Sequence, residues 1–170
     1  VKELLKKTGG LQNIQRGEFV EFAFDKGSDW HDHNIAHAVG EFVLASALGK
    51  RDYDDMPAWL KEGVGCLCDI LFRGSVKASC VEVPTGTGAG DVPWTDSTRW
   101  DENLKGLVAK GRDPELTDVL AVTLNAMKGD HRAKAASVVR MLILRWPAGF
   151  RAIIAKTTLA RANERRDWPP

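Results

Sequence analysis

Apolar residues recur at helical spacing in two neighbouring segments of the chain. In the first segment, which runs from about Asp32 to Leu48, they are Ile35, Val39, Phe42 and Val43. In the second, which begins at Pro57 and ends near Gly74, they are Trp59, Leu60, Val64, Leu67 and Leu71. A repeat of three to four residues predicts two helices that each bury one apolar face. Pro57 suits the first turn of the second helix, where its missing N–H would have no partner in any case.

The remaining elements are expected to be three more helices and one short strand. The segment from Gly17 to Phe24 is aromatic and partly alternating, which is typical of a strand. One helix begins after Asp113, another is capped by Asp130, and the last runs from Phe150 to about Ala162. We therefore expect an α+β fold that is mostly α, with a small sheet to which residues 18–24 contribute.

A loop-like stretch interrupts the helical pattern between Val83 and Trp100. It contains Pro84, Gly86, Gly88, Gly90 and Pro93. Loops of this length inside one domain often border a binding site, although a surface insertion without a role fits the composition equally well. We expect residues 1–170 to form a single domain, which could have been excised from a longer protein.

Composition and charge exclude several classes of partner. The chain has 170 residues, with 24 Lys and Arg against 23 Asp and Glu, so its formal charge is +1. A protein this close to neutrality has no field of one sign that would recruit nucleic acid or anionic lipid. No apolar run is long enough to cross a bilayer, and the start Val1–Lys7 is too charged for a signal-peptide core. We expect a soluble chain that binds no nucleic acid, whose compartment and oligomeric state stay open.

The cysteines indicate neither a disulfide framework nor a zinc site made of thiolates. There are three, Cys66, Cys68 and Cys80, and none forms a CxxC pair. An odd and small number of cysteines at these spacings suits buried apolar positions better.

Two histidines stand one helical turn apart in His33-Asn34-Ile35-Ala36-His37. Side chains at i and i+4 lie on the same side of a helix, so His33 and His37 are placed to hold one metal ion. The apolar residues of this segment fall on the opposite side of the helix, and small Ala36 and Gly40 flank the histidines. The pattern predicts a helix that lies beneath a cleft, while ordinary surface or core histidines are the alternative.

The chain resembles the gluzincin metallopeptidases in two motifs. His33-Asn34-Ile35-Ala36-His37 is similar to their HExxH helix, and Pro57-Ala58-Trp59-Leu60-Lys61-Glu62-Gly63 is similar to their W-L-x-E-G-type segment on the next helix. The resemblance covers roughly residues 19–159. It implies a zincin-like domain whose small sheet packs on the active-site helix, Zn²⁺ bound by His33, His37 and Glu62, and hydrolysis of peptide or protein substrates.

Position 34 departs from this family at the centre of its chemistry. The second residue of HExxH is normally the Glu that takes a proton from zinc-bound water, and here it is Asn34. An amide has no basic site near neutral pH, and loss of a general base costs about 10²–10⁴-fold in rate. The three residues at the zinc-binding positions of the family are all present. The resemblance therefore implies that metal binding is kept while peptide hydrolysis is lost.

Several interpretations of Asn34 stay open at this stage. The chain is a natural pseudopeptidase, Asn34 was introduced to inactivate an enzyme, or the likeness is accidental. A fourth possibility is an active enzyme that takes its base from Asp32, Glu41 or His131. A non-catalytic module that binds a protein or peptide in the former active-site cleft is the alternative function.

Three further residues are candidates for supporting roles. Glu41 and Asp69 are acidic residues near the two motifs, and each is expected to orient a ligating imidazole. His131 follows the Asp130 cap, where some gluzincins place a side chain that stabilises the oxyanion. A solvent-facing histidine in a first helical turn is the plainer interpretation of His131.

Overall fold

The structure is a computed structural model that describes residues 10–15, 18–23, 30–47, 56–76 and 99–164. Two strands open it, β1 (Gly10–Gln15) and β2 (Glu18–Ala23). Six helices follow, and a 3₁₀ turn at Leu124–Ala126 separates the fourth from the fifth. The helices are α1 (Trp30–Ala47), α2 (Ala58–Arg73), α3 (Trp100–Ala109), α4 (Leu116–Ala121), α5 (Gly129–Arg145) and α6 (Pro147–Glu164).

The predicted α+β class is wrong, because the body of the domain is all-helical. The described residues from 30 onward contain helices and turns and no strand. Both apolar core clusters are made of side chains from these helices and the turns beside them. Within the described ranges, β-structure is confined to one antiparallel hairpin, which pairs Gly10 with Ala23 and Gln15 with Glu18. Two strands are too few to form a layer of their own, and the helices bury their faces against one another.

Helix α2 is the centre of the domain, since it packs against α1 on one side and α5 on the other. Leu60 and Cys66 of α2 are completely buried, as are Ala135 and Val139 of α5. Gly63 allows the close approach of the two helices, because a Cβ at this position would lie 2.8 Å from the carbonyl oxygen of Ala135. The contact places the second half of the chain directly behind the Glu62 motif.

Helix α1 buries the face opposite to the one that its apolar pattern predicts. Ile35 and Val39 are each 38% exposed and Val43 is 59% exposed, whereas His33 and His37 are buried. The apolar face of α1, which was expected to pack against the core, is therefore exposed to solvent. The polar face packs on α2 because acidic and basic groups on the two helices can pair there, which helical periodicity alone does not show.

The helices predicted after residue 113 are present, but their bounds differ from the predicted ones. The helix after Asp113 ends at Ala121, and α6 begins at Pro147 instead of Phe150. Most of the predicted long loop, together with Phe24 and Cys80, lies outside the described residues. Its last residue, Trp100, is 3% exposed and begins α3, a helix that the sequence interpretation missed.

The membrane expectation is confirmed for the part of the chain that the structure describes. None of the helices there is sufficiently long and apolar to span a bilayer.

Candidate metal centre

Helices α1 and α2, which pack against each other, carry a group of buried polar side chains. Each of these side chains belongs to a residue that is at most 4% exposed. They are His33, Asn34, His37 and Glu41 on α1, and Lys61, Glu62 and Asp69 on α2. Burial of ionisable groups is unfavourable unless they are paired, so this interface has been built around specific polar contacts.

His37, Glu41 and Glu62 converge on one point. The Nε2 atom of His37 lies 3.2 Å from Oε1 of Glu41 and 3.9 Å from Oε2 of Glu62. One ligand atom from each residue lies within 4.8 Å of the other two. The i and i+4 pair that meets Glu62 is therefore His37 with Glu41, one turn further along α1 than His33 with His37.

The donor atoms are spaced as the ligands of a single small ion would be. Zinc binds imidazole nitrogen and carboxylate oxygen at about 2.0–2.2 Å, which separates tetrahedral ligands by about 3.3 Å. The two distances from His37 Nε2, 3.2 Å and 3.9 Å, are close to that separation. One imidazole and two carboxylates are ligand types that zinc accepts, so the residues present fit such an ion in their chemistry.

His33 lies beside this cluster and has a different partner. Its Nδ1 atom is 2.6 Å from Oδ1 of Asp69, and both side chains are buried. Within the described residues, the convergent donor set contains His37, Glu41 and Glu62 and does not include His33. The structure thus brings together His37 and Glu62 of the expected zinc ligands, and it places Asp69 against the third.

Glu41 also differs from its predicted supporting position. Its Oε1 atom faces the Nε2 atom of His37, which is the nitrogen that points toward Glu62. A carboxylate that only orients an imidazole would contact the other nitrogen, so Glu41 is placed among the donors.

A glycine on α2 makes room for the His37 ring. A Cβ atom at Gly65 would lie 2.5 Å from Nε2 of His37 and 2.6 Å from its Cε1. Only the absence of a side chain at this position lets the imidazole lie against the α2 backbone. Gly40 on α1 makes room for a different side chain, because a Cβ there would lie 2.6 Å from the sulfur of Cys68.

Arg132 on α5 completes the cluster, and the sequence motifs did not identify it. Its Nε donates to Oε2 of Glu62 at 3.0 Å, and its Nη1 donates to the backbone oxygen of Met127 at 2.6 Å. Arg132 stands 70 residues after Glu62, and no motif in the sequence links the two positions. Its guanidinium offsets one carboxylate charge of the donor set.

The thiol of Cys68 borders the same interface. Burial raises its pKa, the nearby His37 lowers it, and the charge of Asp69 raises it. The burial effect is the largest of these, so the thiol keeps its proton at neutral pH.

Among the described residues, the convergent donor set includes neither Asn34 nor His131. Asn34 is 3% exposed, and its amide cannot take a proton near neutral pH. His131 closes the N-terminal end of α5, because its Nδ1 accepts a hydrogen bond from the backbone N–H of Lys128 at 3.1 Å. This contact accounts for His131 as a helix cap, outside the donor set.

Comparisons with known protein families, with curated proteins and with solved structures found no match for this chain. The likeness to gluzincins therefore stays a prediction that rests on the two motifs.

Proposed function

We propose that this chain is a gluzincin-like zinc-binding domain that has lost peptide hydrolysis. His37, Glu41 and Glu62 hold the ion, and Asn34 replaces the general base. The observation that carries the proposal is the convergence of three buried donors from two helices within 4.8 Å. Two of these donors belong to the motifs that resemble the gluzincin zinc site.

Each donor contributes through an ordinary property of its side chain. His37 offers the lone pair of Nε2 when it is neutral, and Glu41 and Glu62 offer carboxylate oxygens. A bound zinc ion supplies positive charge and Lewis acidity. Arg132 shares the carboxylate of Glu62 at 3.0 Å, so the site keeps one positive partner of its own.

We expect no hydrolysis because none of the alternative general bases is free to act as one. Asp32, one alternative base, pairs with Arg73 at 3.4 Å on the surface side of the interface. Glu41, another, lies in the donor set, and His131 caps α5. The donors are also closed off, since His37, Glu41 and Glu62 are each less than 5% exposed. Because the donors are buried, the structure does not support the alternative that a peptide binds in the former active-site cleft.

Zinc content of the purified chain tests the proposal. Protein made without a histidine tag would be loaded with zinc, passed through a desalting column and measured by plasma mass spectrometry. We expect about one zinc ion per chain. His37→Ala and Glu62→Gln should each lower the zinc content to background, because each removes one donor.

Matched variants separate the donor set from its neighbours. His131→Ala removes a histidine outside the cluster and should leave the zinc content unchanged. Glu41→Gln should reduce zinc binding more than His33→Ala does, since Glu41 lies in the donor set and His33 does not. Zinc that stays near background in the wild type after loading, or that is equal in all variants, would contradict a metal centre.

Hydrolysis is tested separately on the zinc-loaded protein. Incubation with unfolded casein and with a mixture of quenched fluorescent peptides should release no product above a His37→Ala control. Zinc-dependent cleavage that disappears in this control would show that the missing Glu at position 34 has been replaced from elsewhere.

A further inference from the structure

Helices α3 and α5 frame an open apolar groove of about 740 Å³ that lies apart from the metal centre. Leu104 and Val138 are among its lining residues. Val108 is 60% exposed, Met141 is 47% exposed and Leu144 is 68% exposed, so much of the apolar lining faces solvent. Apolar side chains grouped in this way on a surface mark an interaction site more often than scattered ones do.

Both walls of the groove have the periodicity of a helix contact face. On α3 the lining residues Asp101, Leu104, Lys105 and Val108 occupy positions i, i+3, i+4 and i+7. On α5 the stripe runs from Lys134 to Arg145. At about 1.5 Å per residue, the two walls are about 12 Å and about 16 Å long, which is two to three helical turns.

More cationic than acidic side chains line the groove. Four cationic and two acidic side chains line it, in a chain whose formal charge is only +1. Arg140 pairs with Asp101 at 3.1 Å, and Lys134 pairs with Asp113. Within the described residues, Lys105 and Arg145 have no acidic partner, so two cations are left over to meet an anionic ligand.

We propose that this groove docks an amphipathic helix of a partner protein whose apolar stripe is flanked by Asp or Glu. A helix with its side chains is about 10 Å across, and the two walls are as long as two to three of its turns. The leftover cations Lys105 and Arg145 pair with its acidic flanks. A fatty acid has the same combination of apolar body and negative charge, but its single carboxylate offers one charge to two cations.

A designed peptide is the probe for this docking site. It would have about 14 residues, with Leu at the helical positions i, i+3, i+4 and i+7 and Glu on both flanks. Fluorescence anisotropy of the labelled peptide against the protein should show saturable binding that weakens as salt is raised. A control peptide with Lys in place of every Glu should bind at least tenfold more weakly.

Charge reversal on the protein provides the decisive comparison. The double variant Lys105→Glu with Arg145→Glu should bind the acidic peptide at least tenfold more weakly and should now prefer the basic peptide. Lys110→Glu reverses a nearby exposed cation outside the groove and should leave both affinities unchanged. Leu144→Asp should abolish binding, whereas Leu71→Asp, which is also at an exposed leucine, should not.

Three outcomes would overturn the proposal. The first is equal binding of the acidic and the basic peptide by the wild type. The second is displacement of the acidic peptide by laurate at submicellar concentration, which would assign the groove to a fatty acid. The third is self-association in sedimentation experiments that Leu144→Asp abolishes, which would assign the groove to a second copy of this chain. Circular dichroism of each variant would exclude unfolding as the cause.

Discussion

The Nδ1 atom of His33 lies 2.6 Å from Oδ1 of Asp69, although the two residues are 36 positions apart. The first residue belongs to α1 and the second to α2, and both side chains are buried. The contact therefore joins the two motif helices through a hydrogen bond that water does not weaken. It also determines that Nδ1 is the imidazole nitrogen of His33 that is engaged.

Removal of Asp69 should destabilise the fold much more than removal of a surface pair between the same helices. Asp69→Ala leaves the buried His33 without this acceptor, and we expect a loss of about 3 kcal/mol in the free energy of unfolding. Arg73→Ala breaks the pair with Asp32, whose side chains are 38% and 45% exposed, and should cost less than about 1 kcal/mol. Urea unfolding followed by circular dichroism measures both. Similar losses in the two variants would contradict a special role for the buried contact.

A methyl group at position 65 should displace the His37 ring. In Gly65→Ala the added Cβ would lie 2.5 Å from His37 Nε2, so the imidazole must move away from the α2 backbone. We expect lower stability and loss of zinc binding. Gly106→Ala is the matched control, because a Cβ there meets no atom within 4 Å and should stabilise α3 by about 0.5–1 kcal/mol. Normal zinc binding by Gly65→Ala would show that His37 is not held as described.

Arg132 should stabilise the metal-free protein but weaken the binding of zinc. In Arg132→Met the buried Glu62 loses a cation at 3.0 Å, so the metal-free protein should unfold at a lower temperature. Zinc should bind this variant more tightly, since one positive charge beside the donors is gone. Thermal unfolding with and without zinc should therefore show a larger zinc-induced rise for Arg132→Met than for the wild type.

Arg140→Met is the control for this experiment. Arg140 lies on the same helix as Arg132, but its loss breaks only an exposed pair with Asp101 of α3, so it should leave the zinc-induced rise unchanged. A smaller rise in Arg132→Met would mean that Arg132 supports the ion instead of opposing it.

Cys68 should react slowly and should make stability fall at alkaline pH. Burial raises the pKa of its thiol above the ordinary value of 9.0, so little thiolate forms below that pH. The folded state holds this proton where the unfolded chain has already released it. The contribution to stability is therefore complete below pH 9.0 and is lost as the pH rises through the folded pKa.

Alkylation with iodoacetamide, followed by peptide mass spectrometry, measures this reactivity at the Cys68 position itself. The folded protein should be modified more slowly at pH 8 than the same protein in urea. Equal rates would show that the thiol is not protected by burial.

The helices were predictable because each depends on neighbouring residues. The apolar spacing of the two motif segments, Pro57 at the start of α2 and Gly74 after its end all indicate local conformation, and Gly74 has the positive φ of 76° that favours glycine. Helix α3 was missed because the sequence interpretation assigned no element between the end of the loop at Trp100 and Asp113. The expectation of a sheet failed because one strand-like segment does not show how many strands pair.

The order of the residues is sufficient to predict two helices that carry two histidines and a glutamate at spacings suited to a metal site. It also shows that the general base of the peptidases it resembles is absent, because position 34 is Asn. The packing of the helices is needed to see that α1 buries its polar face, that Glu41 meets His37 and Glu62, and that His33 pairs with Asp69. The same holds for Arg132, which reaches Glu62 across 70 residues. Helical periodicity relates residues a few positions apart, whereas the meeting of side chains from different helices depends on how those helices are rotated and packed.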